Sequence, residues 1–419
     1  VYPYETLAAQ VVGFTNASNE GCEGVEAAYN SFLAGSTGRV ITTKGNNEMD
    51  MPFSYENYVS SRQGDSVILT LDATVQACLE KQLSAAIARY DVQNGAFGLV
   101  MNCKTGEILA MATLGSYDPN NYLEIADEGT AAQLEEMKRV YLAEPEGSEA
   151  YEAGKTAYGE ALSAARLKQW RNRVISDGYE PGSTFKVLTL AAALEEGVID
   201  ENTTFDCTGS IHVLDATIHC SNRAGHGHQT LEQTAGNSCN PAFITYGLRL
   251  GTEKFYRYMK DFGLVNGSGI DLEGEALGIF APQETASELD LACYAFGQNF
   301  NTTPVALISA QAACINGGYL HTPYVVERVV DSEGNVLSSH DSTPVRQVVS
   351  EETSALVRQC LEYVVSSGTG RNGQVHGYRI GGKTGTADKG NTGEVVLSFM
   401  CFAPADDPKY IMLLTLDSP

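Results

Sequence analysis

Apolar residues along this chain fall into short runs suited to strands and one longer run suited to a helix. The run 183–196 is rich in Leu, Ala and Val and favours a buried helix, with Pro181 and Gly182 at its start. Short apolar runs predict strands at 67–71, 96–101, 108–113, 380–386, 395–402 and 410–416. The pattern therefore predicts a chain of mixed α and β structure.

A block between residues 124 and 168 follows a different pattern. It is rich in Glu, Ala, Lys and Gln, with a few apolar positions. Such a pattern is typical of charged amphipathic helices, and Pro145 and Gly147 divide the block in two. We expect a pair of helices here, either as a structural elaboration or as a partner-binding surface.

Composition narrows the possible partners. The chain has 419 residues, of which 43% are hydrophobic, enough for a substantial core. Its 27 basic and 52 acidic residues give a net charge of −25, which argues against nucleic acid or anionic lipid as a partner. The sequence contains neither an apolar run long enough for a membrane span nor a secretory signal pattern.

Ser183 and Lys186 stand three residues apart at the start of the predicted helix. At this spacing both side chains lie on one helical face, so the hydroxyl and the amine can meet. A serine hydroxyl is a weak nucleophile until a base takes its proton. A lysine serves as that base only where burial or a second cation lowers its pKa. Taken alone, such a pair is more often an ordinary helix start with a solvated lysine.

Two further strings change that interpretation. Ser238 and Asn240 stand two residues apart and offer a hydroxyl for proton relay and an amide ligand. The string 383–386 reads Lys-Thr-Gly-Thr and follows two glycines. The order S-x-x-K, S-x-N and K-T-G is much harder to obtain by chance than any one string. Together the strings indicate a serine nucleophile, its base, a relay group and a substrate-binding strand.

The Lys-Thr-Gly-Thr string lies between two β-rich runs and predicts an edge strand paired in a hairpin. On this strand, Lys383 and Gly385 would point to one side, and Thr384 and Thr386 to the other. A lysine and two threonine hydroxyls suit a substrate carboxylate. The glycines would let a substrate backbone approach closely.

With these strings, the chain resembles the class B penicillin-binding proteins, the monofunctional peptidoglycan transpeptidases of bacterial division, elongation and sporulation. The resemblance covers nearly the whole chain. Residues 4–13 are similar to the end of the family's N-terminal pedestal domain, and residues 64–72 to the beginning of its catalytic domain. Further similar segments are 104–112, 171–173, 296–298 and 303–304.

The resemblance implies a fold and a domain organisation. The fold would be the α/β (α+β) fold of penicillin-binding transpeptidases and serine β-lactamases, a mostly antiparallel sheet flanked by helices. Residues 1–63 would be a remnant of the pedestal or dimerisation domain, and residues 64–419 the catalytic domain. The strand at 67–71 would lie at the beginning of that domain, outside the central sheet. The block 124–168 would be an insertion beside the active-site mouth, and the family's final C-terminal helix would be missing.

The resemblance also implies acyl transfer in two steps. Ser183 would attack the penultimate D-alanine carbonyl of a peptidoglycan stem peptide and release the terminal D-alanine, with Lys186 as its base. The amine of a neighbouring stem would then attack the acyl-enzyme and form the cross-link. Ser238 would relay a proton to the leaving amine. This chemistry needs no metal cofactor.

The remaining motif residues would bind the substrate. Asn240 would hold the donor amide, while Lys383, Thr384 and Thr386, on the strand that contains Gly385, would bind the terminal carboxylate. The backbone N–H groups of the nucleophile and of Thr386 would form the oxyanion hole. Expected partners are peptidoglycan stem peptides, β-lactam antibiotics and a cellular glycosyltransferase. The expected location is the extracytoplasmic face of the bacterial cytoplasmic membrane, through an N-terminal anchoring helix absent from this chain.

Ten cysteines are many for this family, and three of them share one stretch with four of the seven histidines. Cys207, Cys220 and Cys239 with one histidine would make a Cys3His set, which is common in structural zinc sites. His226 is the preferred fourth ligand and His228 the alternative. No Cys-x-x-Cys pair is present, so a Cys207–Cys220 disulfide and buried free thiols stay open as alternatives.

Two other functions use the same motifs. A class A β-lactamase would need a deacylating glutamate between the second and third strings, and the sequence has no convincing Glu-x-x-x-Asn there. A β-lactam-sensing receptor domain would be acylated without forming cross-links. Among transpeptidases, the sequence leaves open whether the chain serves septation, elongation or sporulation.

Overall fold

The computed structural model describes residues 1–41, 57–390 and 393–419. Numbered in chain order, the strands are β1 (Arg39–Ile41), β2 (Asn57–Val59), β3 (Ser66–Leu69), β4 (Ala96–Asn102), β5 (Ile108–Thr113), β6 (Thr204–Cys207), β7 (Ser210–Val213), β8 (Ala216–His219), β9 (Gly227–Thr230), β10 (Tyr319–Leu320), β11 (Val326–Val330), β12 (Val336–Ser339), β13 (Arg346–Gln347), β14 (Gly381–Asp388), β15 (Val395–Ala403) and β16 (Tyr410–Asp417).

The helices, numbered in the same way, are α1 (Ala9–Val12), α2 (Gly24–Ala28), α3 (Asn30–Leu33), α4 (Ala73–Tyr90), α5 (Glu128–Leu142), α6 (Glu149–Trp170), α7 (Arg173–Ser176), α8 (Lys186–Glu195), α9 (Leu231–Gly236), α10 (Asn240–Leu250), α11 (Thr252–Asp261), α12 (Glu288–Ala295), α13 (Pro304–Ile315) and α14 (Glu351–Ser366). Short 3₁₀ helices occur at Pro119–Asn121, Gly182–Phe185 and Arg371–Gly373.

The central sheet has five strands in the order β14-β15-β16-β4-β5. Every neighbouring pair is antiparallel. Strands from the two ends of the chain meet where Leu413 of β16 pairs with Leu99 of β4. β14 lies at one edge, as the sequence predicts for the strand that contains the Lys-Thr-Gly string. This edge leaves one row of backbone groups free of sheet partners.

Helices cover both faces of the sheet. Successive residues of β4 point to opposite faces, so Leu99 packs in the main core, whereas Ala96 packs against Leu79 and Leu83 of α4. On the main face, every residue of α13 is buried, and so is nearly every residue of α8. A helix that is apolar all round belongs in the interior, which explains why the run 183–196 is so rich in Leu, Ala and Val.

The strand predicted at 67–71 lies outside the central sheet, as expected. Its counterpart β3 pairs with β11 in a separate three-stranded sheet of order β12-β11-β3. Part of the predicted N-terminal remnant, residues 42–56, lies outside the described residues. The domain boundary at residues 63 and 64 stays a prediction.

The charged block forms the two expected helices, α5 and α6, with a break at 143–148. Its base is held by aromatic contacts with the N-terminal segment, because the Phe14 ring stacks on Tyr122 at 4.2 Å and lies 4.9 Å from Trp170. The Trp170 indole also donates a 2.9 Å hydrogen bond to the Tyr122 carbonyl. The chain then reaches the β5 edge, where the Arg173 N–H donates to Thr113. These contacts hold α5 and α6 at the β5 edge of the sheet, which is opposite the β14 edge. The expected position beside the active-site mouth is therefore wrong.

None of the helices in the described ranges combines the length and the apolar character that crossing a bilayer requires.

Candidate active site

Ser183 lies in the 3₁₀ turn that leads into α8, and it is partly exposed. The preceding Gly182 has a left-handed φ of +54°, and a Cβ atom there would lie 2.4 Å from the Thr386 carbonyl oxygen. Only glycine satisfies both conditions. The Gly182 N–H also donates a 2.9 Å hydrogen bond to the Gly297 carbonyl. These close backbone contacts hold the nucleophile turn against β14.

Lys186 is fully buried at the first turn of α8. Its Nζ atom donates to the Ser238 carbonyl at 2.8 Å, the Ser238 hydroxyl at 3.1 Å and Asn240 Oδ1 at 2.6 Å. Burial lowers the pKa of Lys186 to about 7, although the Cys239 and Cys220 thiols oppose this shift. A substantial fraction of Lys186 is therefore uncharged near neutral pH, as a general base must be.

Lys383 is 1% exposed and reaches the same serine from β14. Its Nζ atom donates to Ser238 Oγ at 2.8 Å and to the Thr384 carbonyl at 2.9 Å. Burial, with a smaller effect of the nearby Lys186, holds the pKa of Lys383 well below its usual value. The Ser238 hydroxyl thus joins two buried amines, and this arrangement can pass a proton in either direction.

Ser238 and Cys239 form the turn between α9 and α10. Ser238 has a left-handed φ of +51°, whereas Cys239 is extended, with φ −68° and ψ 105°. Pro241, in the first turn of α10, favours the start of a new helix at this point. The Asn240 side chain donates a 3.1 Å hydrogen bond to the His219 carbonyl, which directs its Oδ1 atom toward Lys186.

β14 shows the predicted alternation of side chains. Lys383 and Gly385 are buried, Thr384 is partly exposed, and Thr386 is exposed. A Cβ atom at Gly385 would lie 2.8 Å from the Thr184 methyl carbon, so the nucleophile turn packs directly on this strand. The exposed threonines lie on the open edge, where an extended peptide could add as a further strand.

Thr369 lies at this site although the sequence motifs do not include it. The Thr384 hydroxyl donates to the Thr369 hydroxyl at 3.1 Å, and the Thr369 N–H donates to the Gly236 carbonyl at 2.9 Å. A Cβ atom at Gly368 would lie 2.5 Å from the same carbonyl oxygen. The turn after α14 is thus docked on α9 and adds a hydroxyl beside the proposed carboxylate site. In the sequence, the only sign of this turn is the string Ser-Gly-Thr-Gly at 367–370.

The structure also brings together Cys207, Cys220, His226 and Cys239. Their sulfur and ring nitrogen atoms all lie within 4.8 Å of one another, and the three cysteines are buried. The Cys220 sulfur lies 3.5 Å from His226 Nδ1 and 4.0 Å from the Cys239 sulfur. His228 lies outside the cluster and bonds to the exposed Asp206 at 3.0 Å.

A hydrogen bond with Cys239 holds the pKa of the Cys220 thiol well below its usual value, whereas the same bond and burial raise that of Cys239. All ten cysteines are free thiols in this structure.

The penicillin-binding protein transpeptidase domain model matches residues 96–419, which include the three motifs and the four clustered residues. The chain belongs to this transpeptidase family. The family and the class B resemblance expected from the sequence are therefore confirmed.

The names of two relatives refer to sporulation and to D,D-transpeptidase activity. Stage V sporulation protein D of Bacillus subtilis is 37% identical over 425 residues, which cover 100% of this chain and 60% of that protein. Peptidoglycan D,D-transpeptidase FtsI of Escherichia coli is 26% identical over 424 residues, covering 100% of this chain and 62% of that protein. The chain thus spans about 60% of the length of the curated relatives it matches.

A solved structure supports the fold. Penicillin-binding protein 3 of Mycobacterium tuberculosis, in complex with aztreonam, superposes with a TM-score of 0.81 at 27% identity. The match covers 100% of this chain and 84% of that one. The expected fold, antiparallel sheet flanked by helices, is confirmed.

Proposed function

We propose that this chain cross-links peptidoglycan stem peptides through an acyl-enzyme at Ser183, and that β-lactams acylate the same serine. The observation that carries the proposal is the contact of Ser238 with both Lys186 and Lys383. This contact supports a base and a proton relay beside the S-x-x-K turn. Solved relatives that hold aztreonam and ampicillin support the β-lactam part.

The first step forms an ester. Uncharged Lys186 takes the Ser183 proton, and the serine oxygen attacks the carbonyl of the penultimate D-alanine. The bond from that carbonyl to the nitrogen of the terminal D-alanine breaks, and Ser238 passes a proton from the lysine to this nitrogen. The backbone N–H groups of Ser183 and Thr386 would stabilise the oxyanion between them.

The second step transfers the acyl group. The amine of a neighbouring stem peptide attacks the ester carbonyl and gives up a proton through the same relay. The Ser183 ester bond then breaks, and the serine oxygen regains a proton from Lys186. An amide cross-link forms, and the enzyme returns to its starting state without a net change in protons on its side chains.

Substrate binding would use the open edge of β14. Lys383, Thr384 and Thr386, beside Gly385, would hold the terminal carboxylate, and the Asn240 amide would contact the donor peptide. A bound carboxylate would also raise the pKa of Lys383, because an opposite charge favours the charged form of a buried amine.

The partners of the two lysines favour a transpeptidase over a β-lactamase. Within the described ranges, Lys186 and Lys383 donate to hydroxyl, amide and carbonyl groups, with no carboxylate among their hydrogen-bond partners. Rapid deacylation by a class A enzyme requires a glutamate-activated water. A long-lived acyl-enzyme, which an acceptor amine can intercept, fits this site better.

Labelling with a fluorescent penicillin tests the proposal. We expect stable labelling that is lost in Ser183→Ala and kept in Ser366→Ala, an exposed serine on α14. Rapid turnover of the label would indicate a β-lactamase, and labelling that survives Ser183→Ala would refute the nucleophile. A thioester donor analogue with a D-amino acid acceptor then separates a transpeptidase from a β-lactam sensor, since a sensor forms no cross-linked product.

Cys207, Cys220, His226 and Cys239 would hold a structural Zn²⁺. The donor set is that of a closed Cys3His site. In a tetrahedral zinc site the sulfur atoms lie about 3.8 Å apart, and the 4.0 Å between the Cys220 and Cys239 sulfurs is close to this value. A bound zinc would brace the turn that carries Ser238 and would take no part in acyl transfer.

The wider setting follows from this chemistry. The expected substrates, lipid-linked or polymeric stem peptides, place the site at the extracytoplasmic face of the bacterial membrane, with a glycosyltransferase as the cellular partner. The name of one relative points to sporulation, and division is the alternative role. Depletion in the source organism would distinguish these roles by a filamentation or a spore-cortex defect.

A further inference from the structure

Gln229 lies on β9, directly behind the turn 237–239. Its side chain is 1% exposed, so both ends of its amide need partners inside the protein. The Oε1 atom accepts a 2.9 Å hydrogen bond from Asn237 Nδ2. The Nε2 atom is buried and makes no hydrogen bond of normal geometry with any described residue. Among the described residues, the Nε2 end of the amide therefore lacks a hydrogen-bond acceptor.

The Gln229 side chain lies close enough to Cys239 to lower the pKa of its thiol, although no hydrogen bond of normal geometry joins the two groups. A neutral thiol is a weak acceptor. A metal-bound thiolate carries negative charge, and the groups that hydrogen-bond to metal ligands orient them and tune the metal. The unpaired Nε2–H is therefore suited to the metal-bound form of Cys239.

Asn237 and Cys239 flank Ser238, the residue with the left-handed φ of +51°. A serine in this region of φ is uncommon and depends on its surroundings to stay there. The Gln229 side chain bonds to the residue before Ser238 at one end and lies near the residue after it at the other.

We propose that Gln229 is a positioning residue that couples the metal centre to the catalytic turn. Its Nε2–H donates to the metal-bound Cys239 thiolate while its Oε1 holds Asn237, and Ser238 is fixed between them. This inference rests on the metal centre proposed above. It differs from a purely structural role because it links the electronic state of the metal–sulfur bond to the acylation of Ser183.

Two variants test the two ends of the Gln229 amide separately. Gln229→Glu keeps an acceptor for Asn237 but places a charged oxygen beside the thiolate. Asn237→Ala removes the donor that bonds to Gln229 Oε1 and leaves the Nε2 end of the amide unchanged. Gln347→Glu, at an exposed amide on β13, is the matched control for added charge. Cobalt substitution provides the spectroscopic readout, because thiolate-to-cobalt absorption bands respond to a hydrogen bond on the sulfur.

We expect Gln229→Glu to shift these bands, to weaken metal affinity by about 10-fold or more in chelator competition, and to slow acylation by fluorescent penicillin. Asn237→Ala should keep the cobalt bands and slow acylation alone. Gln347→Glu should match the unmodified protein in all three measurements. Gln229→Met, which is neutral and similar in length, replaces Gln229→Glu if that variant fails to fold.

The two proposals fail in different ways. Unmodified protein that binds neither cobalt nor zinc would overturn the metal centre, and the coupling with it. If the unmodified protein binds cobalt but Gln229→Glu and Gln229→Met leave its bands and affinity unchanged, the Gln229 inference is wrong and the metal centre stands. Shifted bands with an unchanged acylation rate would restrict Gln229 to the metal and overturn the coupling to Ser238.

Discussion

Lys383 donates a 2.8 Å hydrogen bond to the hydroxyl of Ser238 in an almost completely buried site. Lys186 reaches the same oxygen at 3.1 Å. Two ammonium groups so close to one hydroxyl repel each other, and burial disfavours the charge on both. Burial and this repulsion lower the pKa of both amines, so the two titrate as a coupled pair.

This coupling predicts how acylation depends on pH. Burial lowers the pKa of Lys186 to about 7, and only its uncharged form can take the Ser183 proton. The uncharged fraction grows about 10-fold from pH 6 to pH 8, so the second-order rate constant for labelling by a fluorescent penicillin should rise over this range. A rate that stays flat or falls between these pH values would exclude Lys186 as the base.

The Ser238 hydroxyl can be tested separately from its backbone. Ser238→Gly removes the hydroxyl together with the Cβ strained by the φ of +51°, whereas Ser238→Ala removes the hydroxyl and keeps the strained Cβ. Loss of a proton relay should slow acylation by about 10²- to 10⁴-fold in both variants. The melting temperature of Ser238→Gly should be the higher of the two. Acylation at the unmodified rate in Ser238→Gly would show that the hydroxyl is not a relay.

Features with a short-range sequence pattern could be predicted. The run 183–196 is rich in Leu, Ala and Val, which favours a buried helix, and the two-residue period of a strand predicts the sides of β14. The first turn of the run is 3₁₀ rather than α-helical. The cause is the tight packing of Gly182 and Thr184 on β14, which no local pattern encodes.

Features that depend on contacts distant in sequence could not be predicted. Thr369 reaches Thr384 only because Gly368 and Gly236 pack backbone to backbone. The helical pair α5 and α6 is placed by the stacking of Phe14 on Tyr122, far apart in the chain. The cysteine cluster could be predicted in part. Its members share one stretch of sequence, but they come together only when β6 pairs with β9.

Metal removal tests the cysteine cluster. We expect the purified protein to contain about one zinc ion per chain, as a closed Cys3His site would. Cys207→Ser should lose the zinc and lower the melting temperature, because metal binding contributes to folding. His228→Ala should keep the zinc, since the His228 ring bonds to Asp206 outside the cluster.

Thiol titration alongside the zinc measurement distinguishes the alternatives. Protein without zinc but with a Cys207–Cys220 disulfide would refute the metal centre in favour of oxidation. Protein without zinc but with ten reactive thiols after unfolding would favour free cysteines. Strong chelators should also slow penicillin labelling, because Cys239 adjoins Ser238. Unchanged labelling of zinc-free protein would limit the metal to a role in stability.

The contact between β14 and the nucleophile turn predicts that acylation depends on the exact position of Ser183 relative to the strand. In Gly385→Ala, the new methyl group would lie 2.8 Å from the Thr184 methyl carbon and 2.9 Å from the Pro181 carbonyl oxygen. The turn must then move away from the strand. Because a displacement of about 1 Å can slow a reaction by about 10²-fold, acylation should fall by this order while the protein stays folded.

Gly159→Ala is the matched control, since Gly159 lies inside α6 with open space around its Cα. Alanine is the better helix former, so this variant should raise the free energy of unfolding by about 0.5–1 kcal/mol and leave acylation unchanged. Denaturant unfolding and penicillin labelling of both variants provide the comparison. If Gly385→Ala is acylated at the unmodified rate, the turn does not need its close approach to β14, and the oxyanion hole cannot depend on the backbone of Thr386.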